Sequence, residues 1–286
     1  NNDQVTKDAW NDVITRHMRG KHVTRVIVTH LHPDHVGLAG WIVEKWRAPL
    51  FMSRTDYLLC RTLVMDTGRD APEEGVEFYR ATGFPEEAIA KYKERFGGFG
   101  MGVFRLPQAY RRVQDGETLK IGAHDWRIVV GRGHAPEHVC LWCPALNVII
   151  SGDQILPRIS SNVSVFPTEP DANPLQEWLD SCAKLRDMLP EDVLVLPAHN
   201  EPFIGAKKRL QDLIDGHEEG MAKLLDLCRD PKHAVEVFPA LFRSRITAGN
   251  YLMATGESLA HLNCLIARGK MRRDSDANGV HRYTAV

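Results

Sequence analysis

The sequence has no apolar run approaching the about 18 residues that a membrane span needs. That excludes an integral helical membrane protein of the usual kind. It also has no excess of charge of either sign. The 36 Lys and Arg stand against 37 Asp and Glu, a formal net charge of −1. Nothing global therefore points to a nucleic acid or an anionic membrane as partner. Cysteine is sparse, six in 286 residues, too few for a disulfide framework in a chain this long. Cys140 and Cys143 form a Cys-x-x-Cys in VCLWCP, but a strand would direct them to opposite sides and no second pair answers them. Structural zinc and redox chemistry are not expected there. No signal peptide opens the chain at Asn1, and there are no repeats or low-complexity tracts. A reducing cytoplasm is the expected setting. With 43% hydrophobic and 26% charged residues the composition is that of a globular protein, with one large domain and a satellite, or two domains.

What the chain does have is concentrated in Val26 to Gly37, VIVTHLHPDHVG. Val26 to Thr29 read as a short buried strand. Pro33 cannot continue a strand ladder, so His30, His32, Asp34 and His35 fall in a loop leaving the strand end. A helix is expected from about Val36 to Trp46, its N-terminus favouring anions nearby. Three imidazoles and a carboxylate in six residues exceed what packing requires, and these are the side chains that bind Zn²⁺-like ions. In an extended loop His30 and His32 point the same way and can hold one ion. Asp34 and His35, beyond the turn, point elsewhere and can hold a second.

HLHPDH resembles the His-x-His-x-Asp-His signature of the metallo-β-lactamase-fold hydrolases. The resemblance extends through three later units of strand, small residue and ligand: His134 after Ile128 to Val130, Asp153 after Val148 to Ile150, and His199 after Val193 to Leu196. It covers most of residues 20 to 205. It implies an α/β fold, the αββα sandwich of that family, with His30, His32 and His134 on one metal, Asp34, His35 and His199 on a second, and Asp153 bridging. Two dications, Zn²⁺ or alternatively Fe or Mn, would lower the pKa of a shared water and supply a bridging hydroxide as nucleophile. Asp34 would be ligand and orienter of that nucleophile, and so the catalytic residue. Relatives open with β-strands before the first helix. Here residues 3 to 19 already show helical spacing at Val5, Ala9, Trp10, Val13, Ile14 and His17, and those strands are absent. Relatives also often carry Thr or Ser after the histidine matched by His134 and Gly before the next one, where this chain has Ala135 and Glu137, so hydrogen bonding around the ligands is expected to differ. His138 is expected to be a strand residue facing solvent or core rather than a partner of a ligand.

Between the first motif and His134 the rhythm changes. Residues 53–100 read as a helical insertion or lid over the metal face, with helices at 54–65, 72–82 and 85–96 broken by glycines. FGGFGMG, Phe96 to Gly102, lacks the Lys-Ser/Thr of a phosphate loop and reads as a flexible hinge or a plain surface loop. Asp115-Gly116 signals a hairpin turn between Val113 and Thr118–Ile121. The proline-rich segment 154–174 is a substrate-loop candidate beside Asp153, with Arg158, Ser160, Ser161 and Asn162 as its hydrogen-bonding groups. Arg158 is suited to a carboxylate or phosphate. A helix from Pro174 to Leu189 follows.

The catalytic domain is expected to span residues 1–205 and a C-terminal domain 206–286. The latter reads as helices at about 207–228 and 256–268 and then a charged hairpin, MRRDSDANGVHRYTAV. This resembles the small winged-helix module appended to some of these hydrolases. Residues 220–286 carry ten Lys or Arg against six acids, a mild basic bias. Packing on the catalytic domain or on a second subunit, in a homodimer, is expected ahead of nucleic-acid binding. His217, His233, His261 and His281 stand at no ligand spacing and read as structural or exposed. The leading functional expectation is a small-molecule hydrolase acting on a thioester, lactone or related ester. The alternative is a phosphodiesterase or nuclease acting on RNA or DNA, and a β-lactamase ranks below both. A non-catalytic binding module is disfavoured because every ligand position is filled.

Overall fold

The computed structural model describes residues 1–286. In chain order the elements are α1 (Gln4–His17), β1 (Val26–Ile27), α2 (Pro33–Val36), α3 (Ala39–Trp46), β2 (Leu50–Met52), α4 (Arg54–Met65), α5 (Glu73–Ala81), α6 (Glu86–Arg95) and α7 (Gly98–Met101). Then come β3 (Arg111–Arg112), β4 (Thr118–Ile121), β5 (His124–Gly131), β6 (His138–Cys143), β7 (Val148–Gly152), α8 (Pro174–Met188), β8 (Leu194–Pro197), α9 (Ala206–Leu227), α10 (Phe238–Leu241), α11 (Tyr251–Ala267), β9 (Met271–Ser275) and β10 (His281–Ala285). No helix is long and apolar enough to cross a membrane. The chain divides into two compact units. The first comprises 1–70, 96–130 and 135–152; the second comprises 71–95, 131–134 and 153–286.

The first unit is a mixed α/β assembly. A parallel sheet runs β1-β2-β3, with Val26 opposite Leu50 and Phe51 opposite Arg111. Strands β4 to β7 lie side by side in that order, the pairs β4–β5 and β6–β7 antiparallel. Leu50 and Met52 are buried as a continuous apolar run should be in a strand covered on both faces. They pack with Val28, Leu31, Val36, Tyr57 and Cys60. A second cluster joins Phe51, Val113, Ile128, Val139 and Leu141. α1 forms as its spacing predicts, capped by Asp3, whose carboxylate accepts from the Thr6 N–H, yet it buries no residue.

Several local expectations are corrected. The strand anticipated over 26–29 pairs only at Val26 and Ile27, although Val28 still donates to Phe51 O. The ligand segment is not all loop. Pro33 occupies the first position of the one-turn helix α2, whose missing N–H costs nothing there, so Asp34 and His35 ride on a helix. The 115–116 turn does not close a hairpin. The two-residue connection is Gly122-Ala123, between Ile121 and its partner His124, with Gly122 at φ +61°. Asp115 instead accepts from the Val130 N–H at 2.7 Å. FGGFGMG is not an open hinge, because Gly98–Met101 winds into α7 against α4. A Cβ at Gly100 would lie 1.9 Å from Thr67 Oγ1, which explains the glycine. The anticipated insertion is not one body either. α4 and α7 fall in the first unit, α5 and α6 in the second.

The second unit is built on α8, α9 and α11, which pack on one another. Trp178, Leu185, Leu210, Leu224 and Leu262 are completely buried in it. α11 starts at Tyr251, a turn and more before the anticipated Gly256. The β9–β10 hairpin turns at 276–279, with Asp276 accepting from the Asn278 and Val280 N–H groups.

Candidate metal centre

In the first unit, four of the anticipated ligands cluster just past β1. His30 is fully buried, and its Nε2 lies 3.0 Å from His32 Nδ1. The Thr29 hydroxyl sits 3.1 Å from His30 Nδ1, so an Nδ1–H donated to it leaves the Nε2 lone pair facing His32. The His30 and His35 ring centroids are 4.1 Å apart, and His35 Nε2 lies 3.4 Å from Asp34 Oδ2. Nitrogens and carboxylate oxygens at such separations can share a cation.

A buried carboxylate that the sequence did not mark holds this loop. Asp56, in the first turn of α4, accepts the Leu31 N–H at 2.9 Å and the Glu137 N–H at 2.8 Å. It therefore ties the residue between His30 and His32 to the loop before β6. Burial pushes its carboxyl up to about 6, against the pull of those two N–H groups and the Ser53 hydroxyl. An Asp near a helix start usually caps its own helix, so nothing in the local pattern distinguishes this one. His138 is a strand residue facing the core, as expected, at the start of β6, and it also stacks on His30 at 4.7 Å between centroids. A Cβ at Gly152 would lie 2.6 Å from its ring, so the glycine before Asp153 makes room for it.

In the second unit, His134, Asp153 and His199 come together from three distant positions. His134 Nε2 lies 3.4 Å from Asp153 Oδ2, and His199 Nε2 lies 3.5 Å from Asp153 Oδ1. One carboxylate thus presents one oxygen to each imidazole. Gly133, at φ +101°, delivers His134. A Cβ there would meet Pro174 O and Trp178 Cβ at 2.5 Å, so both the backbone conformation and the packing demand glycine. His134 Nδ1 donates to Asn162 O at 2.7 Å, which leaves its Nε2 as the ligand atom. The Ser161 hydroxyl donates to Asp153 O. His199 is the most open of the three.

The substrate-loop candidates occupy different environments. Arg158 is exposed and paired with Glu201. Ser160 lies near His217, 3.5 Å from its Nε2. Ser161 and Asn162 support Asp153 and His134 rather than open solvent. Behind them, His217 Nδ1 and His261 Nε2 are 3.1 Å apart, and burial lowers the pair to about 3 and about 4 respectively. Both are structural, as their spacing predicted.

Imidazoles and carboxylates in these proportions suit Zn, Fe or Mn rather than an all-oxygen Ca²⁺ or Mg²⁺ site. A profile of the Metallo-beta-lactamase superfamily matches residues 9–199, and a profile of the Metallo-beta-lactamase-like C-terminal domain matches residues 221–286. The chain is 35% identical to a beta-lactamase domain protein from Burkholderia ambifaria. The superposition has a TM-score of 0.90 and covers 99% of this chain and 81% of that one. A metallo-beta-lactamase family protein from Thermus thermophilus superposes with a TM-score of 0.79 at 25% identity, over 99% of this chain and 87% of that one. A probable metallo-hydrolase of Bacillus subtilis is 24% identical over 92% of this chain and 81% of its own. A superfamily profile spanning all seven histidine and aspartate positions, over a fold with TM-score 0.90 to a solved relative, establishes that this chain belongs to the metallo-beta-lactamase superfamily and is a metal-dependent hydrolase.

Proposed function

We propose that the chain is a dinuclear metal-dependent hydrolase of a small ester-type substrate, a thioester, a lactone or a related ester. In this reading His30, His32 and His134 hold one ion, Asp34, His35 and His199 hold the other, and Asp153 serves both. The observation that carries it is the spacing of donor atoms. Those of His30 and His32 lie 3.0 Å apart in the first unit, and those of His134 and His199 lie 3.4 and 3.5 Å from the two oxygens of Asp153 in the second. Two bound Zn²⁺ ions would supply Lewis acidity and lower the pKa of water toward neutrality.

The chain's own groups do the remaining work. Asp34, the more exposed of the two carboxylates, would orient the nucleophile as well as hold a metal. His134 is kept in one tautomer by Asn162 O, which can only accept. Arg158 and Ser160, at the outer end of the 154–173 loop, are the groups available to orient a substrate. The C-terminal cations lend the nuclease alternative little support. Arg272 is paired with Asp274, Arg273 with Asp171, and Arg268 with Glu218, so much of the local positive charge is already neutralised.

The test is a screen of ester, thioester, lactone, β-lactam and phosphodiester substrates on Zn²⁺-loaded protein, alongside metal analysis. About two ions per chain and turnover of a carbonyl ester are expected. Phosphodiester turnover without ester turnover would reverse the substrate assignment.

A further inference from the structure

The 154–173 loop is held from behind by α11, a helix of the C-terminal region. The Val165 N–H donates to Gly256 O at 3.0 Å, and the Asn263 side chain donates to Pro170 O and Ala172 O. A Cβ at Gly256 would approach Ser164 to 2.7 Å, so loop and helix meet backbone to backbone. At the centre of this contact stands Glu257, the one carboxylate of α11, largely withdrawn from solvent. Its Oε2 accepts from Asn162 Nδ2 at 2.8 Å. The other end of the same amide, Asn162 Oδ1, accepts from the Ser164 hydroxyl at 2.5 Å. The Asn162 side chain is therefore clamped at both atoms. Its main-chain carbonyl is the acceptor for His134 Nδ1.

We propose that Glu257 is a positioning residue for the metal centre, acting through Asn162 to keep His134 in the tautomer whose Nε2 can bind a cation. The inference rests on the reading of His134 as a ligand. The physical argument is one of competing demands. An isolated imidazole populates both tautomers, and only the Nδ1–H form binds through Nε2. The Asn162 carbonyl selects that form only while its peptide plane is held in register. The Val165–Gly256 bond fixes the loop three residues away but leaves the Asn162 plane free to rock. The Glu257–Asn162–Ser164 clamp removes that freedom. A carboxylate at the contact is otherwise unexplained, since an apolar residue there would pack on the loop without a desolvation cost. The C-terminal region, which supplies no candidate ligand, is thereby given a part in the chemistry of the site.

The experiment compares Glu257→Ala, Glu257→Asp and Glu257→Gln with the parent. Two readouts are used besides activity: the ¹⁵N-detected tautomer of His134 in metal-free protein, and Zn²⁺ affinity by competition with a chromophoric chelator. The parent is expected to show a single Nδ1–H tautomer. Glu257→Ala is expected to mix the tautomers and weaken one Zn²⁺ by about 10–100-fold, the usual cost of losing an outer partner of a ligand. Glu257→Gln keeps an acceptor for Asn162 Nδ2 and should restore both. Glu257→Asp is one methylene short, should behave like Ala, and serves if the Ala variant does not fold. A parent-like tautomer and Zn²⁺ affinity in the Ala and Asp variants overturn the proposal, as does a Gln variant as impaired as Ala. If instead the parent and His134→Ala take up equal Zn²⁺, the ligand reading has failed, while the tautomer of the metal-free protein still reports on the clamp.

Discussion

The two groups of ligands are built on opposite plans. His30, His32, Asp34 and His35 lie within six residues, and their geometry is local: a strand end, a proline at a helix start and one buried carboxylate, Asp56, gripping the intervening backbone. His134, Asp153 and His199 are spread over sixty-six positions and meet only because three chain segments converge. Their support is correspondingly remote, from Trp178 on α8, Asn162 in a long loop and Glu257 on α11. The compact group can be read from a motif. The dispersed group depends on a folded scaffold, so a distant substitution should damage it more readily.

The largest expected effect lies at the centre of the dispersed group. Asp153→Ala removes the oxygens facing both His134 and His199, and kcat/KM should fall by on the order of 10³-fold or more, with metal content below that of the parent. Activity within tenfold of the parent would remove Asp153 from the site. Next comes the scaffold. Gly133→Ala combines an unfavourable φ of +101° with a clash against Pro174 and Trp178, so about 3 kcal/mol of stability should be lost, measured by urea unfolding. A loss under about 1 kcal/mol would mean the turn can move without cost. The matching change in the compact group is Asp56→Ala, which strands the Leu31 and Glu137 N–H groups for about 2 kcal/mol. It should lower Zn²⁺ affinity while leaving the His134 tautomer unchanged. A shifted His134 tautomer would blur the distinction between the two plans.

A pH dependence follows from the His217–His261 pair. Burial lowers both folded values below the ordinary 6.5, to about 3 and about 4. The unfolded chain therefore binds more protons than the folded one below about 6.5. Stability contributed by the neutral pair is complete above that pH and drains as pH falls toward 4. Between pH 7 and pH 5 unfolding free energy should drop by on the order of 4 kcal/mol, about half from each histidine, and His217→Phe should reduce that slope. An unchanged slope would assign the acid sensitivity elsewhere. The smallest effect belongs to the exposed hairpin. Arg272→Ala breaks only the pair with Asp274 and should change stability by less than about 0.5 kcal/mol. A large loss of RNA affinity in that variant would revive the nuclease reading.

Much of this architecture was legible in one dimension. Apolar spacing announced α4, α5, α6, α8 and α9 to within a residue or two, because an amphipathic stripe is a local property. Apolar runs ending in a glycine or proline and a ligand placed His134, Asp153 and His199 beyond strands. The hairpin at Asp115-Gly116 was misplaced because turn chemistry marks where a chain can reverse, not where its flanking strands find partners. α11 was cut short because no side-chain cap marks its start at Asn250.

The sequence alone determined which atoms are available: five histidines and two aspartates of the right chemistry, in the order that the superfamily profile spans. Side-chain identity and local spacing are properties of the chain itself. Tertiary structure decided what holds those atoms. Asp56, His138, Asn162 and Glu257 are ordinary residues in ordinary contexts, distinguished only by what lies opposite them. A hydrogen bond across 95 positions leaves no trace in local pattern, since its energy depends on two groups meeting in space.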